Sequence, residues 1–243
     1  MCSRHRNKRQ DACAQHIPTG IDRRTALGLG FGAAAAALVA PYAARAEQAA
    51  PPRPQNVIDP DAALKRLLDG NQRYVEGTAK PRSFEADRAA LARAQNPFAG
   101  ILSCADSRIA PEFAFDTSRG DLFVCRVAGN FMTPDNLASF EFAVAVLNTP
   151  LIMVLGHEAC GAVASTISSI EDDETLPGHL PKLVEALTPA VKQASAQGHD
   201  NLLERAIDDN VRINVEALKT ATPILSKAVQ DGKLKVVGGV YHL

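Results

Sequence analysis

The sequence predicts a single α/β domain, built on a mostly parallel central β-sheet flanked by helices. Three observations carry that expectation. Four short apolar runs, at residues 99–103, 122–127, 151–155 and 234–240, are nearly continuous rather than alternating, the pattern of strands buried on both faces. Segments with helical spacing separate them. With 243 residues and 46% hydrophobic content, the chain can fill one sizeable core and needs no second domain.

Before the domain comes a leader. Residues 1–46 carry Arg4, Arg6, Lys8, Arg9, Arg23, Arg24 and Arg45 against only Asp11 and Asp22. Asp22-Arg23-Arg24-Thr25-Ala26-Leu27 precedes a soft apolar run at 28–40, and Ala44-Arg45-Ala46 then places small residues two apart. A charged n-region, a short h-region and an A-x-A site make a signal peptide. The paired arginines give it the twin-arginine character of export to the periplasm. The apolar run is shorter than the ~20 residues a spanning helix needs, so no stable membrane association is expected once cleavage after Ala46 leaves Glu47 as the first residue.

Residues 47–58, rich in Pro, Ala and Gln, read as a flexible lead-in. Residues 59–243 form the domain. Asp59 is a good N-cap and Pro60 suits the first helical position; Ala63, Leu64, Leu67 and Leu68 then keep helical spacing as far as Gly77. A second amphipathic helix is expected over 85–94. The strand at 99–103 runs into Cys104, and the strand at 122–127 follows the Gly120-Asp121 turn. A helix over 137–147 leads to the most apolar strand, 151–155, which runs into Gly156-His157. Helices over 181–197, 202–219 and 224–230 precede the last strand at 234–240.

The formal net charge of −1 gives no reason to expect nucleic acid or an anionic membrane as partner. Of five cysteines, Cys2 and Cys13 leave with the leader. The remaining three, Cys104, Cys125 and Cys160, make a poor disulfide framework for an oxidising compartment. They suit thiolates committed to a metal that is inserted before folded export. Cys125 reads as a strand residue packed in the core.

Two segments carry chemistry: Cys104-Ala105-Asp106-Ser107-Arg108 and His157-Glu158-Ala159-Cys160. Each follows a buried strand, where ligands sit in open α/β sheets. Cys104, His157 and Cys160 offer a soft S, N, S set that favours zinc over magnesium or calcium. The fourth position is filled either by Asp106 or by water, and an open position marks a catalytic zinc. Asp106 and Arg108, two residues apart, can pair on a tight loop. Paired, the carboxylate is drawn off the metal; unpaired, it can close the site.

On these residues the chain resembles the β-class carbonic anhydrases, from about residue 64 to 243. The family's Cys-x-Asp-x-Arg and His-x-x-Cys-Gly stand here at 104–108 and 157–161. Gly70-Asn71-Gln72-Arg73-Tyr74 resembles its amino-terminal helix, and Arg126-Val127-Ala128-Gly129-Asn130 its central loop. The resemblance implies reversible hydration of carbon dioxide to bicarbonate and a proton, the reaction of a carbonate dehydratase. One zinc per chain would be held by Cys104, His157 and Cys160, with hydroxide on it oriented by an Asp106–Arg108 dyad. It also implies a substrate pocket of Gln95, Phe123, Phe142 and Gly161. Phe142 stands where plant-type members carry a tyrosine. Members closed by bicarbonate at a second site use a tryptophan where this chain has Ile101, so an open zinc is expected near neutral pH. In the family the helix at 59–77 embraces a partner subunit, which implies a homodimer or a tetramer of paired dimers. Two competing readings share the motifs: a zinc hydrolase of carbonyl sulfide or carbon disulfide, and a non-catalytic zinc protein with Asp106 on the metal.

Overall fold

The computed structural model describes residues 58–81, 85 and 88–243. The leader at 1–46 and residues 47–57 of the lead-in lie outside them. Among the described residues, β1 (Ala99–Ser103), β2 (Leu122–Arg126), β3 (Leu151–His157) and β4 (Lys235–Tyr241) form one sheet in the order β2-β1-β3-β4. Every pairing is parallel. All residues of β1 and β3 are buried, which is why their sequences lack alternation.

Successive side chains along the strands feed opposite faces of the sheet. Ile101, Met153 and Leu155 pack with Ala63 and Leu67 of α1 (Pro60–Val75) and with Ala114 of α3 (Pro111–Ala114). Leu102, Ile152, Val154 and Val236 pack on the other side. There they meet Phe140 of α4 (Pro134–Ala145), Val211 and Leu218 of α7 (Leu202–Thr220) and Leu225 of α8 (Ile224–Gln230). A third cluster lies beyond the carboxyl ends of the strands. It joins Cys104 and Cys160 to Val163 of α5 (Gly161–Glu171), Leu187 and Val191 of α6 (Pro181–Ser195), and Ala206 and Ile207 of α7.

The helix at the amino end begins as its sequence directs: the Asp59 side chain accepts the Ala62 N–H at 2.8 Å, with Pro60 at the first position. Expected to reach for a partner, α1 docks on its own chain by one face. Ala63 and Leu67 are fully buried, Arg73 Nε donates to Asp116 at 2.6 Å, and Arg66 stacks over the Phe98 ring. Its other face leaves Leu68 and Val75 exposed.

Two expectations need correction. In place of a helix over 85–94, the described residues hold only the single turn α2 (Arg88–Leu91). The Gln95-Asn96-Pro97 stretch that follows lies in neither helix nor strand, and Asn96, before proline, is disfavoured in the helical region. The helix α5 was not anticipated at all. Its sequence, GAVASTISSIE, is rich in Ser and β-branched residues with weak helix propensity. Its burial against α6 and α7 supplies what local preference does not.

Gly70 marks the closest approach of α1 to the body of the domain. A Cβ there would stand 1.9 Å from the Phe115 carbonyl oxygen. Since that neighbour is backbone, Gly70→Ala should lower unfolding stability by about 1–3 kcal/mol or more in urea titration. A change below about 0.5 kcal/mol would show that α1 is free to shift.

Candidate metal centre

Ser103 lies opposite Leu155 in the β1–β3 ladder. The chain therefore leaves both strands at the same edge, with Cys104 one residue past its strand and His157 closing the other. A tight turn with Ala159 in the left-handed region, φ 52°, then brings Cys160 back as the residue before α5. One sulfur from each cysteine and one imidazole nitrogen lie within 4.8 Å of one another, and all three residues are buried. A single ion spans that gap with zinc's usual bonds of about 2.0–2.3 Å.

The donor set fits zinc on a second count. His157 Nδ1 lies 2.9 Å from the Glu158 carbonyl oxygen. An N–H there donates to that carbonyl and leaves Nε2 with a free lone pair, the usual orientation of a ligating histidine. Nε2 is buried with no hydrogen-bond partner. A buried orphan atom is costly unless something occupies it, and a metal is the occupant that its two cysteine neighbours suit.

The thiols are tuned against each other. Cys104 is held down to about 4, chiefly by the hydrogen bond from Cys160, with His157 and the Gly129 N–H at 3.2 Å adding to it. Cys160 is driven well above the ordinary thiol range, because it is the donor to that thiolate and is buried beside it. His157 is raised, first by its contact with Cys104. The two shifts run in opposite directions, Cys104 down and Cys160 up, so Cys104 is the thiol more readied for a cation.

Asp106 stands at the rim. Its Oδ1 accepts the Arg108 backbone N–H at 2.9 Å and Arg108 Nε at 3.0 Å, while Oδ2 accepts Arg108 Nη2 at 2.7 Å. Arg108 holds the carboxyl far below its usual range, and its Nη2 also donates to the Ala159 carbonyl at 3.1 Å. That contact links the two ligand segments directly. Asp106 Oδ2 lies 3.8 Å from His157 Nε2, close to where an ion would sit. Behind the loop, Arg126 donates to three carbonyls: Cys104 at 2.8 Å, Asp106 at 2.7 Å and Ile109 at 2.9 Å.

Comparison with known proteins agrees with this arrangement. Residues 99–243 match the carbonic anhydrase family. Carbonic anhydrase 2 of Mycobacterium tuberculosis is 40% identical over 189 residues, covering 76% of this chain and 89% of that protein. The chain belongs to the β-carbonic anhydrase family. The structure of the β-carbonic anhydrase CcaA superposes with a TM-score of 0.57 at 28% identity, covering 74% of this chain and 90% of that one. A tetrameric β-carbonic anhydrase of Sordaria macrospora shares the fold, with a TM-score of 0.59 at 24% identity and coverage of 74% and 92%.

Of the four residues expected to form the substrate pocket, a single chain brings only Gly161 to the metal centre. Gly161 is beside the metal ligands, and with Ala128, Ala162, Leu180, Leu183 and Val184 it lines an apolar cavity of about 240 Å³. Gln95, Phe123 and Phe142 are elsewhere. Gln95 is exposed and precedes β1, whereas Cys104 follows it, so the whole strand separates them, about 16 Å. Phe123 pairs with Gly100 in the ladder, three rungs from Ser103. Phe142 is 46% exposed and stacks near Phe123, centroids 6.5 Å apart. Sequence reasoning assigned no role to Arg126, Gly129 and the buried Asn210, whose amide donates to the Gly129 carbonyl at 2.8 Å. The available signal was Asn210 with Asn214, four residues apart on the largely apolar buried side of α7, which also holds Asp209.

The depressed Cys104 stabilises the metal-free fold in full above the ordinary thiol value of 9.0, and that contribution is lost as pH falls towards about 4. Ultraviolet titration of the metal-free C125S variant should therefore show one thiolate per chain at neutral pH, disappearing in acid. C104S should lack that transition. Two thiols both neutral at pH 7 would contradict the assignment.

Proposed function

We propose that this protein hydrates carbon dioxide reversibly to bicarbonate and a proton, with one zinc per chain on Cys104, His157 and Cys160. The observation that carries the reading is Asp106. Its carboxylate, tied to Arg108 by three hydrogen bonds, sits beside the one unpartnered nitrogen of the donor cluster. Bound there, zinc supplies the Lewis acidity that lets a water ionise near neutral pH.

The chain's own residues do the rest. Asp106, kept ionised by Arg108, can only accept hydrogen bonds. It therefore holds a proton-bearing oxygen by its O–H and turns the lone pair towards the substrate. Arg108 keeps the carboxylate from swinging onto the metal and closing the site, which disfavours a purely structural centre. The cavity beside Gly161, the residue after Cys160, is lined mainly by aliphatic side chains with Ser165 and Thr166 among them, a setting that suits a small uncharged gas.

The same geometry favours an assembly. Gln95, Phe123 and Phe142 cannot wall the cavity of their own chain, and β2, which carries Phe123, is an edge strand. Phe142 and Val146 are exposed beside it, as are Leu68, Val75 and Phe113 on the α1 side. A homodimer in which each chain lends these residues to its partner's metal centre accounts for both facts, and pairing of dimers gives a tetramer. The Sordaria macrospora protein is tetrameric.

Residues 1–46 act in this reading as a twin-arginine leader, cleaved after Ala46, that delivers the folded, metal-loaded protein to the periplasm. A chain with Arg23→Lys and Arg24→Lys should stay uncleaved in the cytoplasm; export at the normal level would contradict this route. Stopped-flow hydration by the chain from Glu47, with zinc quantified in the same sample, tests the activity. Hydration should fall by about 100-fold or more in Asp106→Ala and in Arg108→Ala while zinc is retained. One zinc per chain with no hydration in the unaltered protein would reject the reading, and side-by-side assay of carbonyl sulfide and carbon disulfide would identify the competing substrate.

A further inference from the structure

The helix α7 presents an apolar stripe to the sheet and to α6, including Ala206, Ile207, Val211 and Leu218, each no more than 5% exposed. Two positions on it are primary amides. Asn210 is 2% exposed and Asn214 6%. Asparagine is a weak helix former, and its amide is costly to bury unless partnered. The partners are all on one loop or within the pair. Asn214 Oδ1 accepts the Met132 N–H at 2.7 Å, and Asn214 Nδ2 donates to the Asn210 backbone oxygen at 2.8 Å and to its Oδ1 at 3.0 Å. Asn210 Nδ2 donates to the Gly129 carbonyl at 2.8 Å.

Those bonds pin residues 129–132, the loop that leaves β2 and passes over Cys104. Gly129 is the residue whose N–H points at the Cys104 sulfur. It adopts φ +84°, and a Cβ on it would stand 2.8 Å from Leu187 Cδ1. No side chain of its own can anchor it. Its carbonyl lies in the next peptide, 129–130, which is held at both ends: Asn210 donates to the Gly129 oxygen, and the Asn130 N–H donates to the Val127 carbonyl at 3.0 Å.

We infer that Asn210 is a positioning residue for the Cys104 sulfur: by fixing the 129–130 peptide it limits rotation about the Gly129 backbone, and so keeps the adjoining N–H aimed at the sulfur and readies it to bind metal. Asn214 completes the device by fixing the rotamer of Asn210 and the far end of the loop. The inference rests on the zinc reading above and adds to it a residue that touches neither metal nor substrate. Outer partners of this kind govern how tightly a ligand holds its ion.

The test uses the full mature chain from Glu47 and the variants Asn210→Asp, which keeps the shape but cannot donate to Gly129, and Asn210→Leu. Leu67→Ala, a cavity on the opposite face of the sheet, serves as the destabilised control. Zinc affinity is measured by chelator competition, and the thiolate-to-metal charge-transfer band is recorded in the cobalt form. Both Asn210 variants should bind zinc about 10–100-fold more weakly and shift the band, while the control keeps both at the unaltered values. Zinc affinity within twofold of the unaltered protein, with the band unmoved, overturns the inference. Should neither variant fold, cadmium-113 NMR of the unaltered protein decides. Coupling between cadmium and the Gly129 amide proton supports the bond, and its absence overturns it. Failure of the unaltered chain to take zinc would instead reject the metal centre itself.

Discussion

Ser103 and Leu155 face each other across the β1–β3 ladder, and the direction of that pairing decides where the chemistry falls. Two parallel strands finish at the same edge of the sheet, so Cys104 and His157, 53 residues apart in sequence, emerge as neighbours. An antiparallel pairing would send them to opposite edges, separated by a strand length of about 16 Å. The rest of the centre is short-range. Ala159 turns the chain, Cys160 returns to the cluster, and Asp106 and Arg108 follow Cys104 on the loop that joins β1 to α3.

Placing such groups at a strand edge creates a second constraint. Three potential ligands are buried among Val163, Leu187 and Ile207, where an unpartnered charge or polar atom is costly. The solution is a shell of donors from elements far apart in sequence. Gly129 serves the Cys104 sulfur, Arg126 ties three carbonyls of the ligand loop, Arg108 bridges Asp106 to Ala159, and Glu158 orients His157. Each takes a group that would otherwise compete for the metal or collapse onto it and gives it a fixed partner. The carboxyl-terminal residues join in: Glu158 accepts the Leu243 N–H at 2.6 Å and faces His242 at 3.1 Å.

The strands were legible because β1 and β3 are apolar on both faces, which only a covered sheet explains. Their runs into Cys104 and His157 made the site legible too, since carboxyl ends of parallel strands collect ligands. The helix α5 was not legible. Its Ser and β-branched content argues against helix locally, and only contact with α6 and α7 makes it one. The 85–94 segment failed in the opposite sense: its pattern was helical, yet only the turn Arg88–Leu91 formed. Arg126 was noticed only as part of a loop resembling the family's, and Asn210 not at all, because their roles lie in which carbonyls they meet, and no spacing in the sequence encodes that. Gln95 and Phe123 came from a resemblance that carries residue identity without saying at which end of the strand each residue falls.

The central claim is that two sulfurs and one imidazole from these strand ends hold one zinc and leave a position for the reacting water. X-ray absorption at the zinc edge of the purified mature chain addresses it most directly. The account predicts two sulfur neighbours at ~2.3 Å and two nitrogen or oxygen neighbours at ~2.0–2.1 Å, with one sulfur lost in C160S. A shell of four sulfurs, or one with no sulfur at all, would contradict it.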